Sequence, residues 1–332
     1  FLQSEKNPAT LIASAFAFAI SLHTYNSARV FVPLFMGGLV GLSWDTLWKS
    51  KKQTFIAAGL FFSIFIPLFT FWISPEGMER ANETLVTNPY TILSDYLSYY
   101  HPQFLFFSGD IDPMHNIPNM GKLHYLELIT VLVGMYGLLK KGDKKHRLLW
   151  LWLLLYPIPA ALTDPYKGIR AIMGAPLFAV FSACGLGWMA DRIQSKIQLF
   201  KIGTAMSMLA SVAIFLKFGL IDYPRYSAKW WSFGMKEAVM WTEKSPHKAV
   251  VVSHMFLPHI YLLFYTQHSP SDYLSTPLEL RLKFWRHTPE ALLDRYYTMY
   301  LQNPLLDVEG TALFMVAPGE IEYLKKRGDQ CS

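Results

Sequence analysis

The chain has 332 residues, of which 52% are hydrophobic and only 16% are charged, with a net charge of +6. Soluble domains carry about 25% charged residues, so the apolar excess indicates a surface that faces lipid rather than water. The basic residues gather in short clusters between apolar segments, which argues against a nucleic-acid partner. The two cysteines, Cys184 and Cys331, form neither a disulfide framework nor a zinc pattern.

Apolar segments in the first two thirds of the chain predict seven membrane-spanning helices. Their residues are 8–22, 30–44, 54–73, 123–139, 148–163, 171–190 and 202–221. Each segment has about 15–21 residues, close to the ~20 that cross the hydrocarbon core of a bilayer. We therefore predict an α-helical polytopic membrane bundle over residues 1–221.

Lysine and arginine in the short connections predict the orientation of this bundle. The connections 45–53, 140–147 and 191–201 are basic and are expected on the cytoplasmic side. The polar loop 74–122 and the short loop 164–170 are then expected on the outer side. The prediction is a multi-pass protein of the plasma (inner) membrane.

Residues 222–332 predict a small extracytoplasmic α/β domain. Its expected elements, in chain order, are a helix at 234–244, a strand at 249–253, a helix at 257–267, a strand at 311–316 and a helix at 319–327. Strands that alternate with helices favour a partly parallel sheet. Because no glycine-rich phosphate loop follows a strand, we expect no dinucleotide site.

Asp110, Asp112 and His115 form an Asp-x-Asp-x-x-His pattern in the predicted outer loop. Side chains of these types bind divalent metals, act as general bases and hydrogen-bond to sugar hydroxyls. Glycine, proline and asparagine stand beside them, so the pattern is equally typical of a turn that aspartate stabilises locally. Both interpretations remain open from the sequence.

Three basic residues, Arg29, Lys167 and Arg170, are expected at the outer membrane boundary. Arginine is uncommon there, and its planar guanidinium binds phosphate in a bidentate manner. One interpretation is that they hold the phosphate of a lipid carrier. The alternative is that the arginines reach lipid headgroups or pair with a nearby carboxylate such as Asp164.

Aromatic residues are dense in the outer loop, at Tyr99, Tyr100 and 104–107, beside His101. They could line a pocket for a sugar or a lipid. An interfacial belt that lies flat on the membrane is the interpretation we favour.

The run Tyr-Asn-Ser-Ala-Arg-Val-Phe-Val-Pro-Leu at 25–34 resembles a motif of membrane glycosyltransferases of the C superfamily, nearest to the protein O-mannosyltransferase and aminoarabinose transferase-like group. Segments 104–116, 121–128 and 162–176 resemble the same group. The resemblance implies an inverting enzyme that moves a sugar from a polyprenyl-phosphate carrier to a lipid or protein acceptor on the outer face. It implies no required cofactor, and a divalent metal at Asp110, Asp112 and His115 is left open.

The resemblance also implies roles for individual residues. Arg29, Lys167 and Arg170 would bind the lipid phosphate. The sugar or acceptor cavity would contain Tyr25, His101, Asp110, Asp112 and His115. The catalytic carboxylate of the family lies upstream of the matched region, so the chain is expected to be a carboxy-terminal portion whose general base is unassigned. One departure is Tyr166-Lys167, where the family has a histidine before the arginine.

Two other classes of protein compete with a transferase. A transporter would carry ionisable residues at mid-membrane, and the predicted spans have almost none. A non-catalytic scaffold or sensor, with residues 222–332 as its binding module, is compatible with the sequence. We favour the transferase.

Overall fold

The computed structural model describes residues 1, 4, 7–75, 77–78, 84–140, 143–163, 168–253, 258–277, 295–299, 312–316, 320–322 and 325. The protein is mostly helical. The chain divides into two compact units, Phe1–Tyr226 and Ser227–Ser332. The small sheet belongs to the second unit.

Most helices described in the first unit lie at the predicted apolar segments; α3 and α5 lie in predicted connections. In chain order they are α1 (Thr10–Ser21), α2 (Asn26–Leu42), α3 (Trp44–Lys49), α4 (Lys51–Trp72), α5 (Pro89–Ser98), α6 (Tyr125–Leu139), α7 (Lys144–Leu155), α8 (Ile158–Ala161), α9 (Ala175–Arg192) and α10 (Ile197–Lys217). A π-helical turn at Gln103–Phe107 and a 3-10 helix at Gly168–Gly174 lie between them. After α10 the chain continues through a π-helical turn at Phe218–Asp222 into the short helix α11 (Tyr223–Ser227).

Among the described residues, three helical stretches are long and apolar enough to cross a membrane: Lys51–Trp72, Gly168–Arg192 and Gln194–Trp231. The apolar helices α1, α2 and α6 are shorter. A helix lies at each of the seven predicted segments, but the number of spans and the orientation stay predictions.

The segment 148–163 is not one continuous helix, as the sequence had led us to expect. Helix α7 ends at Leu155 and α8 begins at Ile158. Two prolines, Pro157 and Pro159, explain the break, because proline lacks the amide donor that a continuing helix needs.

Helices α6 and α9 pack at very short range. A Cβ atom on Gly185 would lie 1.8 Å from the carbonyl oxygen of Thr130, so the two backbones are in contact. The hydroxyls of Thr130 and Ser182 are 2.6 Å apart and form a buried hydrogen bond. Small and hydroxyl-bearing residues at a helix interface are typical of packing in membranes.

The predicted outer loop contains regular structure and core residues. The side chain of Asn88 accepts a 2.9 Å hydrogen bond from the amide of Tyr90, which caps α5. Tyr99 is fully buried, and Phe104 and Phe106 are also part of the core. The interfacial belt is therefore wrong for these aromatics; of the run 104–107 only Phe107 is exposed.

The second unit contains a parallel sheet in the order β2-β1-β3, with strands β1 (Ala249–Ser253), β2 (Tyr296–Met299) and β3 (Ala312–Met315). Its longer helices are α12 (Met235–Glu243), α13 (Pro258–Tyr265) and α14 (Pro270–Ser275). The predicted helices at 234–244 and 257–267 and the buried strand at 249–253 are confirmed. Strand β2 was not predicted, and only part of the closing helix, at 320–322, lies among the described residues.

Candidate functional site

The loop that follows the π-helical turn is closed by Gly109 and Asn116. Gly109 has a φ of +68°, and a Cβ there would lie 2.4 Å from Oδ1 of Asn116, so only glycine fits. Nδ2 of Asn116 donates a 2.7 Å hydrogen bond to the carbonyl of Ser108. These contacts fix the position of the residues between them.

Asp110 connects this loop to the 3-10 helix before α9. Its side chain has no exposed surface, and a buried carboxylate is costly unless it is paired. One oxygen accepts a short hydrogen bond from the amide of Gly168, and the other accepts a 3.2 Å bond from the amide of Asp112. The carboxylate therefore joins two segments that are 58 residues apart.

Lys122 lies beside Asp110. Its Nζ is 3.7 Å from Oδ2 of Asp110, and it donates hydrogen bonds of 3.1 Å to Oδ1 of Asn116 and 3.4 Å to the carbonyl of His115. Burial lowers the pKa of Lys122, and the neighbouring Asp110 opposes that effect. The result is an ammonium group held in a defined place, with 27% of the side chain still exposed.

Asp112 and His115 form a carboxylate–imidazole pair. Oδ2 of Asp112 is 2.8 Å from Nδ1 of His115, while Oδ1 accepts a 2.9 Å hydrogen bond from the amide of Met114. The predicted local turn is thus confirmed. Within the described part of the chain, no group of three or more His, Cys, Asp or Glu side chains is placed to hold a metal ion, and a metal at these residues stays a prediction without structural support.

A cavity of about 330 Å³ opens beside this polar network. Its lining is Phe104, Leu105, His115, Lys122, Leu123, Tyr156, Gly168, Ile169, Ala171, Ile172, Gly174, Ala175 and Phe178. The walls are mostly apolar, and the titratable residues in the lining are Lys122, His115 and Tyr156, whose hydroxyl donates to the carbonyl of Tyr99. Such a cavity suits a ligand with an apolar body and an anionic group.

A second cavity, of about 240 Å³, lies among α1, α2 and α4. The polar side chains in its lining are Ser14 and Thr54, and none of the lining side chains is acidic or basic. It can hold an apolar group, but it offers no residue for acid–base chemistry or for binding an anion.

Arg29 lines neither cavity and lies in the first turn of α2. Its guanidinium carbon is 5.2 Å from the ring centroid of Trp72, a cation–π contact. Nε of Arg29 and Nε1 of Trp72 are both buried, and neither has an acceptor among the described residues. Because buried N–H groups are normally paired, these two donors can together serve an anionic ligand.

Of the predicted site residues that the structure describes, only His115 lines the cavity; Asp110 and Asp112 lie beside it, and the others are elsewhere. Tyr25 is exposed just before α2, and His101 is exposed while its Nδ1 accepts a 3.2 Å bond from the amide of Gln103. Arg170 is half-buried in the 3-10 helix but is not among the cavity-lining residues. Lys167 lies outside the described residues, as does Asp164.

The structure therefore brings Asp110, Asp112 and His115 together and adds Lys122, which the sequence analysis did not assign to the site. A signal for Lys122 was present: it is a lysine at the predicted outer end of a membrane segment, against the usual charge bias. Its partner Asp110 is twelve positions earlier, and no short motif indicates that pairing.

Comparison of the chain with models of known protein families, with curated proteins and with solved structures found no match. The similarity to the C superfamily therefore rests on the quoted motifs alone.

Proposed function

We propose that the protein is a membrane glycosyltransferase that moves a sugar from a polyprenyl-phosphate carrier to an acceptor, and that the cavity beside Lys122 receives the phosphate end of the donor. The observation that carries the proposal is the composition of this cavity, whose apolar walls hold one ammonium and one imidazole group. A polyprenyl-phosphate sugar has the matching parts: an apolar chain, an anionic phosphate and a polar sugar.

The size of the cavity defines which part of the donor it takes. About 330 Å³ is at the lower end of the range for ligand pockets. The long prenyl chain must then lie outside the cavity, along the apolar exterior of the helices. In the part of the chain that the structure describes, three helices of sufficient length and apolar character support a position of the protein in a membrane, where a prenyl chain dissolves.

Lys122 has the central role in the proposed chemistry. Its ammonium stabilises the negative charge that grows on the phosphate as the bond to the sugar breaks. Asp110 holds Lys122 in place. Because its carboxylate also accepts a hydrogen bond from the amide of Gly168, Asp110 fixes the position of this part of the cavity wall relative to the loop.

Arg29 and Trp72 do not line the cavity that receives the phosphate. Their unpaired N–H groups can bind an anion, and a role of Arg29 at the carrier phosphate is carried over from the resemblance. Arg170 and Lys167 are carried over from the resemblance as phosphate ligands. We also propose that the reaction takes place on the outer face of the plasma membrane, as the charge pattern predicts. The acceptor, a lipid or a protein, is taken from the resemblance.

The test uses the full-length protein, purified in detergent, with polyprenyl phosphates that carry radiolabelled sugars. We expect release or transfer of the sugar by the wild type and a loss of roughly 10²–10³-fold in Lys122→Met, the usual effect of removing one charge-stabilising donor. Lys217→Met, at the end of α10 and outside the cavity, is the matched control and should keep the wild-type rate. If the wild type neither turns over nor binds any polyprenyl phosphate, the transferase is wrong and the scaffold interpretation takes its place.

A further inference from the structure

The short helix α3 and the start of α4 carry a group of exposed aromatic and basic side chains. The rings of Trp44 and Trp48 are exposed and stack with their centroids 6.0 Å apart. Nζ of Lys51 lies 4.3 Å from the ring centroid of Trp48, a cation–π contact. Lys49 and Lys52 are also exposed. We call these two tryptophans and three lysines the α3 surface.

The α3 surface has the composition that an anionic membrane surface attracts. Exposed tryptophan is typical of the level of the lipid headgroups, and lysine beside it attracts their phosphates. The three lysines outnumber Asp45, the single acidic residue of the connection 45–53. In the part of the chain that the structure describes, no ion pair joins any of these lysines to a carboxylate. This connection is predicted to be cytoplasmic, and the cytoplasmic leaflet is rich in anionic lipid.

The apolar cavity among α1, α2 and α4 lies directly beside the α3 surface. Leu47, which stands between Trp44 and Trp48 in α3, lines this cavity, and so does Thr54 of α4. The hydroxyl of Thr54 donates to the carbonyl oxygens of Leu47 and Ser50, each at 3.0 Å. This contact joins α3 to α4 and fixes the position of the α3 surface relative to the cavity.

The cavity suits hydrocarbon rather than water. Its two side-chain hydroxyls both donate to backbone carbonyls, that of Thr54 within the α3–α4 contact and that of Ser14 to Thr10 at 2.8 Å. A water molecule would therefore find few partners. A dry apolar cavity of roughly 150 Å³ holds a benzene molecule, and this cavity has about 240 Å³. Val40 and Phe62 of its lining are exposed, so the cavity opens to the apolar exterior of the helices.

We propose that this part of the protein binds an anionic phospholipid, with one acyl chain in the cavity and the headgroup phosphate at the α3 surface beside Lys51. The acyl chain matches the apolar lining, and the phosphate matches the exposed ammonium groups. The site is separate from the cavity beside Lys122, since the two cavities share no lining residue. The inference requires a membrane around the protein but not the transferase, so a failure of the proposed function leaves it standing.

Tyr136 and Lys140 provide a matched control. Nζ of Lys140 lies 4.6 Å from the ring centroid of Tyr136, and both residues are exposed at the predicted cytoplasmic end of α6. Neither residue lines the apolar cavity. A general attraction of lysine and aromatic residues to anionic lipid would therefore make Lys51 and Lys140 equivalent.

The experiment is native mass spectrometry of the full-length protein in detergent, with phosphatidylglycerol, with phosphatidylcholine of the same acyl chains, and with glycerol phosphate. We expect the wild type to prefer phosphatidylglycerol to phosphatidylcholine and not to bind glycerol phosphate, which has no acyl chain. Lys51→Gln should weaken binding of phosphatidylglycerol about fivefold, the usual contribution of one lysine near an anionic surface. Lys140→Gln should keep the wild-type affinity.

A second variant tests the cavity itself. Ala58 lines the cavity, and Ala58→Leu puts a larger side chain into it. We expect phosphatidylglycerol to bind more than about tenfold more weakly, because each methylene group that is excluded from an apolar site costs about fourfold in affinity. Equal affinity of the wild type for the two phospholipids, or an unchanged affinity in Lys51→Gln, overturns the inference. Displacement of phosphatidylglycerol by equimolar polyprenyl phosphate also overturns it, because the site would then belong to the carrier.

A photoreactive phospholipid gives a readout that does not depend on the folding of variants. The wild type is irradiated with phosphatidylglycerol that carries a diazirine at the end of one acyl chain. We expect labels on buried residues of the cavity lining such as Leu11 and Phe61. Labels confined to outward-facing residues of α4 such as Phe55 and Ile66 would show that no chain enters the cavity, and would overturn the inference.

Discussion

Helices α9 and α10 are similarly apolar, but α9 packs closely against α6 whereas α10 is exposed along its length. Both helices belong to stretches that are apolar enough to cross a membrane. In the most apolar part of the stretch that contains α9, 39% of the residues are buried inside the protein, whereas none are in the stretch that contains α10. Hydropathy thus identifies both as candidates for crossing a membrane, but it does not tell which one supports the cavity.

The difference has a local cause. Gly134 and Gly185 let α6 and α9 approach until their backbones touch, whereas a Cβ at Gly203 of α10 would meet nothing within 4 Å. The cavity uses Ala175 and Phe178 from the first turns of α9. The close pair therefore supports the site, and α10 presents its side chains outward.

The largest effect should come from filling the contact between α6 and α9. Gly185→Ala puts a Cβ against the carbonyl of Thr130, and since backbone must move we expect a loss of about 2–3 kcal/mol in the free energy of unfolding. Gly203→Ala should be neutral or stabilise by up to about 1 kcal/mol through helix propensity. Denaturant unfolding in detergent measures both; equal effects would abolish the distinction between the two regions.

Removal of the buried carboxylate of Asp110 should lower the free energy of unfolding slightly less than Gly185→Ala does. Asp110→Ala leaves the amide of Gly168 without its acceptor and Lys122 without its counter-ion. We expect a loss of about 2 kcal/mol, below the full cost of breaking a buried pair, because the lysine is partly exposed. Asp222→Ala, beyond the end of α10, should change stability by less than about 0.5 kcal/mol. A stable Asp110→Ala protein with an unchanged unfolding curve would contradict the role given to this network.

A smaller loss is expected at the hydroxyl pair. Thr130→Val removes the 2.6 Å hydrogen bond to Ser182 and keeps the shape of the side chain. We therefore expect the free energy of unfolding to fall by roughly 1 kcal/mol. Thr204→Val in α10 should have no measurable effect, because none of the residues of that helix is buried. The same unfolding assay compares the two variants. A larger loss of stability in Thr204→Val than in Thr130→Val would contradict the importance given to the contact between α6 and α9.

The smallest expected effect is that of pH on the binding of polyprenyl phosphate. Burial lowers the pKa of Lys122 below its ordinary value of 10.5. The protonated amine binds phosphate, so affinity should be full at low pH and fall as the pH rises through the lowered pKa, at a lower pH than an ordinary lysine would give. Lys122→Arg keeps its charge and should retain affinity on the alkaline side. Titration of polyprenyl phosphate binding with pH checks this, and identical alkaline limbs in the two proteins would contradict it.

Sequence reasoning located most of the elements because apolar runs and β-branched residues determine where helices and strands begin. It also identified the turn at Asp110 and Asp112, which is built from local hydrogen bonds. It did not identify the contact of Asp110 with Gly168 or the pairing with Lys122, because these depend on how distant segments pack. It also assigned Tyr99 and Phe104 to the membrane surface, since an aromatic cluster has the same composition whether it lies in lipid or in a core.

The binding of a carrier phosphate beside Lys122 is tested most directly by photo-crosslinking of the full-length protein, with a polyprenyl phosphate that carries a photoreactive group next to the phosphate. We expect crosslinks at cavity residues such as Ile172 and Phe178. Unlabelled polyprenyl phosphate should compete them away, and they should be lost in Lys122→Met. Crosslinks spread along the outward-facing residues of α10, unaffected by competitor or by the lysine substitution, would contradict it.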